Sequence, residues 1–132
     1  MKKYLFACIL FPLALTACQS DSPRFIHLEQ PDYNKGKLYI YRPHNSKNSK
    51  IVYDVYAGDI KIGNIRNGQH IHQDLPFGVH KVYLKNTQTS VNVPLRVDEI
   101  KCLRIGVNAQ RQPVLQKMHY EQCKVDILST KP

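Results

Sequence analysis

Short runs rich in Val, Ile and Tyr, each of the roughly 4–8 residues that suit a strand, recur between Gly, Pro and Asn turn signals from residue 37 onward. Helices of a soluble domain need an apolar stripe at a period of about 3.6, and no such stripe is sustained here. The runs at 38–41, 51–56, 60–65, 69–75, 79–85, 91–97, 103–107, 114–120 and 125–128 predict an all-β fold. About 8 short, mostly antiparallel strands with close turns make a small β-sandwich or an open barrel. No long helix is expected.

Individual runs carry more detail. Leu38-Tyr39-Ile40-Tyr41 is apolar on both faces, as expected of a central strand covered on two sides. Gly58-Asp59 predicts a tight turn. Asn67-Gly68 is the strongest hairpin signal, because both residues tolerate the positive φ of a type I′ turn, so 69–75 is expected to pair back on 60–65. In 91–97, Val91, Val93, Leu95 and Val97 share one face, and Pro94, lacking a ladder donor, points to a sheet edge. Leu103, Ile105 and Val107 form a core face, which places Cys102 and Arg104 on the other side.

Ahead of this region, Lys2 and Lys3 precede an apolar stretch over 4–15 that closes on Leu15-Thr16-Ala17-Cys18. A basic start, an apolar core and small residues before a cut are the parts of a secretory signal. The stretch is shorter than the roughly 20 apolar residues that span a bilayer. An aliphatic residue, two small residues and a cysteine resemble the lipobox of bacterial lipoproteins. That resemblance implies removal of residues 1–17 as a lipoprotein signal peptide and acylation of the Cys18 sulfur, so that the protein attaches to a membrane through a lipid anchor on Cys18. Gln19, where an Asp favours inner-membrane retention in similar lipoproteins, implies anchoring at the outer membrane with the domain in the periplasm. Residues 18–36 are polar, interrupted by Pro23 and Pro31, and read as a flexible tether; residues 37–132 read as a single β domain.

The chain carries 19 Lys and Arg against 10 Asp and Glu. This surface suits lipid phosphates or an anionic envelope polymer, but Lys35, Lys37, Lys47, Lys50, Lys61, Lys81, Lys101 and Lys117 are spread out. Without a compact basic motif interleaved with stacking aromatics, no nucleic acid partner is expected, and the charge alone is as well explained by solubility. Of the four cysteines, Cys8 leaves with the signal and Cys18 is acylated. Cys102 and Cys123 then remain in a compartment that permits disulfides, and are expected to pair. Closing a loop of about 22 residues restricts the unfolded chain by roughly 3 kcal/mol.

Leu38-Tyr39-Ile40-Tyr41-Arg42-Pro43, then Tyr53-Asp54-Val55-Tyr56-Ala57-Gly58, Ile62-Gly63, Asn67-Gly68 and Pro76-Phe77-Gly78-Val79-His80 together resemble the bacterial family called domain of unknown function 2846. Phe77 intrudes into the Pro-Gly-x-His turn of that pattern. The resemblance covers residues 37–128 and implies a small envelope β domain without an assigned activity.

Candidate chemistry is sparse. His70 and His72 lie two apart on an expected strand, so both imidazoles share a face that can bind Zn or Cu if further ligands converge from His80, His119, Asp54, Asp59 or Asp74. His80 is expected to hydrogen-bond within its turn. No G-x-S-x-G, S-x-x-K or H-E-x-x-H pattern is present, and no cofactor is expected. The reading is a lipid-anchored, non-enzymatic binding or structural module whose partner is an envelope protein or an anionic envelope polymer. The alternatives are an envelope enzyme with dispersed catalytic residues and a metal-binding protein using His70 and His72.

Overall fold

The computed structural model describes residues 28–132. The signal, Cys18 and the first part of the expected tether lie outside the described residues. Eight strands run in chain order: β1 (Gly36–Arg42), β2 (Tyr53–Ala57), β3 (Ile60–Ile65), β4 (Gln69–Leu75), β5 (Gly78–Leu84), β6 (Ser90–Leu95), β7 (Ile100–Val107) and β8 (Pro113–Met118). A helix, α1 (Tyr120–Ile127), follows. The strands make two four-stranded sheets, β4-β1-β7-β8 and β3-β2-β5-β6. Every strand pair is antiparallel except β1 with β7.

The all-β sandwich is thus the architecture, and strand alternation explains its core. Leu38 and Ile40 of β1, Leu103 and Ile105 of β7, Val55 of β2 and Val82 and Leu84 of β5 are all buried between the sheets. Tyr39 and Tyr41, on the opposite side of β1, are buried too, against Leu28, Cys102, Cys123 and Ile127. This second apolar layer is why β1 has no polar side chain except Lys37 and Arg42, both themselves buried. Pro94 stands in β6, an edge strand, opposite Val79.

Three expectations change. The expected strand at 125–128 is helix, and the strand before it ends at Met118 rather than 120. A short apolar run does not distinguish the two periods; here Cys123 and Ile127, four apart, form the buried stripe, whereas Val125 and Leu128 are exposed. The segment 69–75 does not pair back on 60–65: β4 joins β1 in the first sheet while β3 stays with β2 in the second. Only Gly68 of the Asn67-Gly68 pair has positive φ, at 73°, so the turn carries the chain from one sheet to the other instead of closing a type I′ hairpin. A Cβ at Gly68 would collide with the His44 ring, which the glycine admits. Finally, the end of the expected tether is packed on the domain: Leu28 is buried, and the Glu29 amide donates to the Tyr39 hydroxyl at 2.8 Å.

Candidate functional site

Strand direction sorts the connections into two ends. Arg42 pairs with Gln69, Val107 with Pro113 and Tyr53 with Ile65, so the segments 43–52, 66–68 and 108–112 emerge together, joined by 85–89 from the second sheet. We refer to this as the loop end. The turns 58–59, 76–77 and 96–99, with the segment 32–35 that enters β1, occupy the other side, the turn end.

One buried guanidinium holds the loop end together. Arg42 Nη1 donates to the carbonyls of Ile51 at 2.5 Å and Ile65 at 3.2 Å, and Nη2 to that of Asn48 at 2.7 Å. Its charge sits 4.6 Å over the Tyr53 ring. Burial pulls the Arg42 pKa below its ordinary value, with the Tyr53 charge acting in the opposite sense; three carbonyl acceptors and an aromatic face compensate the cation without any carboxylate. Asn48 Nδ2 then donates to the Arg111 carbonyl at 2.6 Å, and the Asn45 amide donates to Asn67 Oδ1 at 3.0 Å. Lys131 adds its backbone to the same end, its amide donating to the Gly68 carbonyl and its own carbonyl accepting from the His70 amide.

These ties collect charge. Lys47, Lys50, Arg66, Lys85, Arg111 and Lys131 all belong to this end, with His44 beside them, and the segments 43–52, 66–68, 85–89 and 108–112 contain no Asp or Glu. None of the ion pairs among the described residues involves any of the six. Of the carboxylates on neighbouring elements, Asp54 pairs with Lys61 at 3.7 Å, and Asp126 accepts from the Tyr41 hydroxyl at 2.6 Å and from Gln122 at 2.7 Å. Two clefts open here. One, of about 410 Å³, lies between 86–89 and 108–114; the other, of about 180 Å³, is lined by Arg42, His44, Asn45, Arg104 and Gln116, and Asn108 and Val114 wall both.

At and near the turn end the charges alternate. Asp32, Lys35, Arg96, Asp98 and Glu99 interleave there, and Glu99 lies 3.7 Å from Lys101. Lys37, buried at the start of β1, sits 3.1 Å from Asp74 Oδ1 and 3.5 Å from Glu29. Burial opposes the charge of both Lys37 and Asp74, but their contact wins: the Lys37 pKa is raised and that of Asp74, whose Oδ2 also accepts the Asp32 amide at 3.3 Å, is lowered. This cluster joins the segment leading into the domain to the first sheet, with its charges already answered.

The residues singled out from sequence divide between structure and separation. Cys102 and Cys123 are joined, tying β7 to α1 on the outer face of the first sheet, away from the main core. His80 donates from Nε2 to the Pro76 carbonyl at 2.7 Å, within its turn. His70 and His72 share a side of β4 but not a site. His70 Nδ1 lies 2.8 Å from Thr130 Oγ1, and burial, then the neighbouring His72, lowers its pKa. His72 Nε2 instead lies 3.7 Å from Glu29, with its ring 5.0 Å from that of Tyr39. Among the described residues no three His, Cys, Asp or Glu side chains gather as a metal site requires, and none of the helices is long and apolar enough to cross a membrane. The basic end was not expected as a unit, because strands separate its members in the chain. Loop segments that carry Lys or Arg and no acid were the available signal. No family model, curated protein or solved structure matches the chain.

Proposed function

We propose that this is a lipid-anchored cell-envelope protein whose sandwich binds an anionic envelope polymer through the loop end and performs no chemistry of its own. The observation that carries this reading is the gathering of six cations at one end, whose loops 43–52, 66–68, 85–89 and 108–112 carry no Asp or Glu. The likeness of the start of the chain to lipoprotein signals supports the habitat, with Cys18 as the anchored residue and the outer membrane, domain in the periplasm, as the place.

The physics favours an extended ligand over a small anion. The six cations come from five separate segments and none lines either cleft, so an extended polymer is what meets them together. Each Lys or Arg near an anionic surface contributes about 1 kcal/mol, reduced by salt. The Arg42 ties hold the loops in place before binding, which lowers the ordering cost on association. A field of one sign also speeds encounter.

A photo-crosslinking amino acid at Lys85 in intact cells fed labelled palmitate tests both halves. Expected are palmitate in the wild type and none in Cys18→Ala, with polymer crosslinked from position 85 and not from a control at Lys117. Equal capture at both positions, or capture of a protein alone, contradicts the polymer reading. Palmitate that never enters the wild type contradicts the anchor.

A further inference from the structure

We infer that the polymer is an acidic glycan, and that one of its sugars seats in the cleft of about 410 Å³ between 86–89 and 108–114. This rests on the polymer-binding reading above and names its ligand. The cleft walls carry amide and hydroxyl side chains, and their hydrogen-bonding capacity is unevenly spent. Thr87 Oγ1 donates to the Leu84 carbonyl at 2.8 Å, Thr89 Oγ1 accepts the Leu115 amide at 3.0 Å, and Asn108 Oδ1 accepts the amides of Gln110 at 3.0 Å and Gln112 at 2.8 Å. These groups build the walls.

The amide groups of Asn86 and Gln88 and the Nε2 of Gln112 have no hydrogen-bond partner among the described residues, and all three residues line the cleft and are exposed. A carboxamide offers a donor and an acceptor side by side, which matches neighbouring hydroxyls on a sugar ring and has nothing comparable to match on a chain bearing carboxylates alone. Pro113 and Val114 supply a small apolar wall, suited to the C–H face of a pyranose; pockets of this size combine such walls with a few placed polar groups. Lys85 adjoins Asn86 and Arg111 adjoins Gln112 in the chain, so both cations belong to the segments that bound the cleft, and the carboxylate or phosphate substituents of a sugar seated there meet a basic surround. The arrangement fits a ligand that is hydroxylated and anionic at once.

The full chain, purified from membranes, is titrated in about 0.15 M salt with alginate, polyglutamate and dextran, which present carboxylates with hydroxyls, carboxylates without hydroxyls and hydroxyls without carboxylates. Alginate is expected to bind about tenfold tighter than polyglutamate, the ratio for one or two good hydrogen bonds, and dextran more weakly than either. Gln88→Ala with Gln112→Ala should erase the preference, and Gln88→Ala alone should reduce it. Both side chains are exposed, and an unchanged thermal midpoint confirms that the fold persists. Alginate and polyglutamate binding equally to the wild type, or a preference that survives the double substitution, overturns the glycan inference and leaves the polymer reading standing. Failure of both polyanions to bind overturns the polymer reading and the inference with it.

Discussion

The two ends of the sandwich are built from the same strands and differ in what closes them. The turn end is made of short connections, 58–59, 76–77 and 96–99, and mixes acids with bases; Lys37 there is neutralised by Asp74 and Glu29. The loop end is made of longer excursions, 43–52, 85–89 and 108–112; Arg42 ties the first of them to the end of β3 through backbone carbonyls, and Asn48 links it on to 108–112. Both solutions bury a cation, but only the first uses carboxylates. A guanidinium held by carbonyls leaves the surface above it free of acid, and the charge of the surrounding lysines and arginines is then left unanswered.

The contrast yields predictions in order of size. Asp74→Asn removes the nearer of the two carboxylates from the buried Lys37 ammonium, leaving Glu29 at 3.5 Å, and should cost about 3 kcal/mol, the low end for breaking a buried pair, measured by denaturant unfolding, with polymer binding at the loop end unchanged wherever the protein remains folded. The pH dependence follows from the two shifts. Asp74, held below the ordinary carboxylate range, contributes stability that is present above its unfolded pKa and lost as pH falls through its folded value. Lys37, held above the ordinary lysine value of 10.5, contributes stability lost as pH rises through its folded value. Asp74→Asn should therefore flatten the acid limb of the stability profile, and a limb unchanged by the substitution would remove the ion pair from the account.

Arg42→Met should cost about 3 kcal/mol, since it leaves the carbonyls of Asn48, Ile51 and Ile65 without their donor. Unlike Asp74→Asn, it should also weaken polymer binding, because the loops lose their preset arrangement; affinity equal to wild type in the folded variant would show that the ties are irrelevant to the site. Reducing the Cys102 to Cys123 bridge, whose cysteines are 21 residues apart, should lower stability by roughly 3 kcal/mol and loosen α1 with little effect at either end, as hydrogen exchange resolved by segment can report. The smallest effect belongs to His70. Its pKa is lowered by burial and by His72, so the neutral form is favoured in the fold and a modest loss of protection at 127–131 is expected as pH falls through its unfolded value. His70→Gln should remove that dependence.

Strand periodicity made most of the sandwich legible: β3 and β4 lie within the expected bounds, the two-faced run 38–41 is the doubly covered β1, and Pro94 marks an edge. The disulfide was legible from the cysteine count together with the expected compartment. What sequence left hidden is what depends on distant partners. Cys123 and Ile127 read as helix once a sheet face with Tyr39, Tyr41 and Cys102 needs covering. β4 pairs with β1, 27 or more positions away by every partner in its register, where the local turn signal favoured its neighbour. The basic end is the clearest case: Lys47, Arg66, Lys85 and Arg111 are isolated along the chain, and only the parallel alignment of β1 with β7 and the return of β5 bring their loops together.

The central claim is that position, not net charge, makes the binding surface. Lys47→Glu, Lys50→Glu, Arg66→Glu and Lys85→Glu reverse four exposed cations at the loop end, and Lys35→Glu, Lys81→Glu, Arg96→Glu and Lys117→Glu reverse four exposed cations elsewhere. The two variants have identical formal charge. At about 1 kcal/mol per cation, the first set should lose at least about a hundredfold in affinity for an anionic polymer and most of the salt dependence, while the second stays within about threefold to tenfold of wild type. Equal losses in the two variants would contradict the account, leaving the charge as a solubility device without a site.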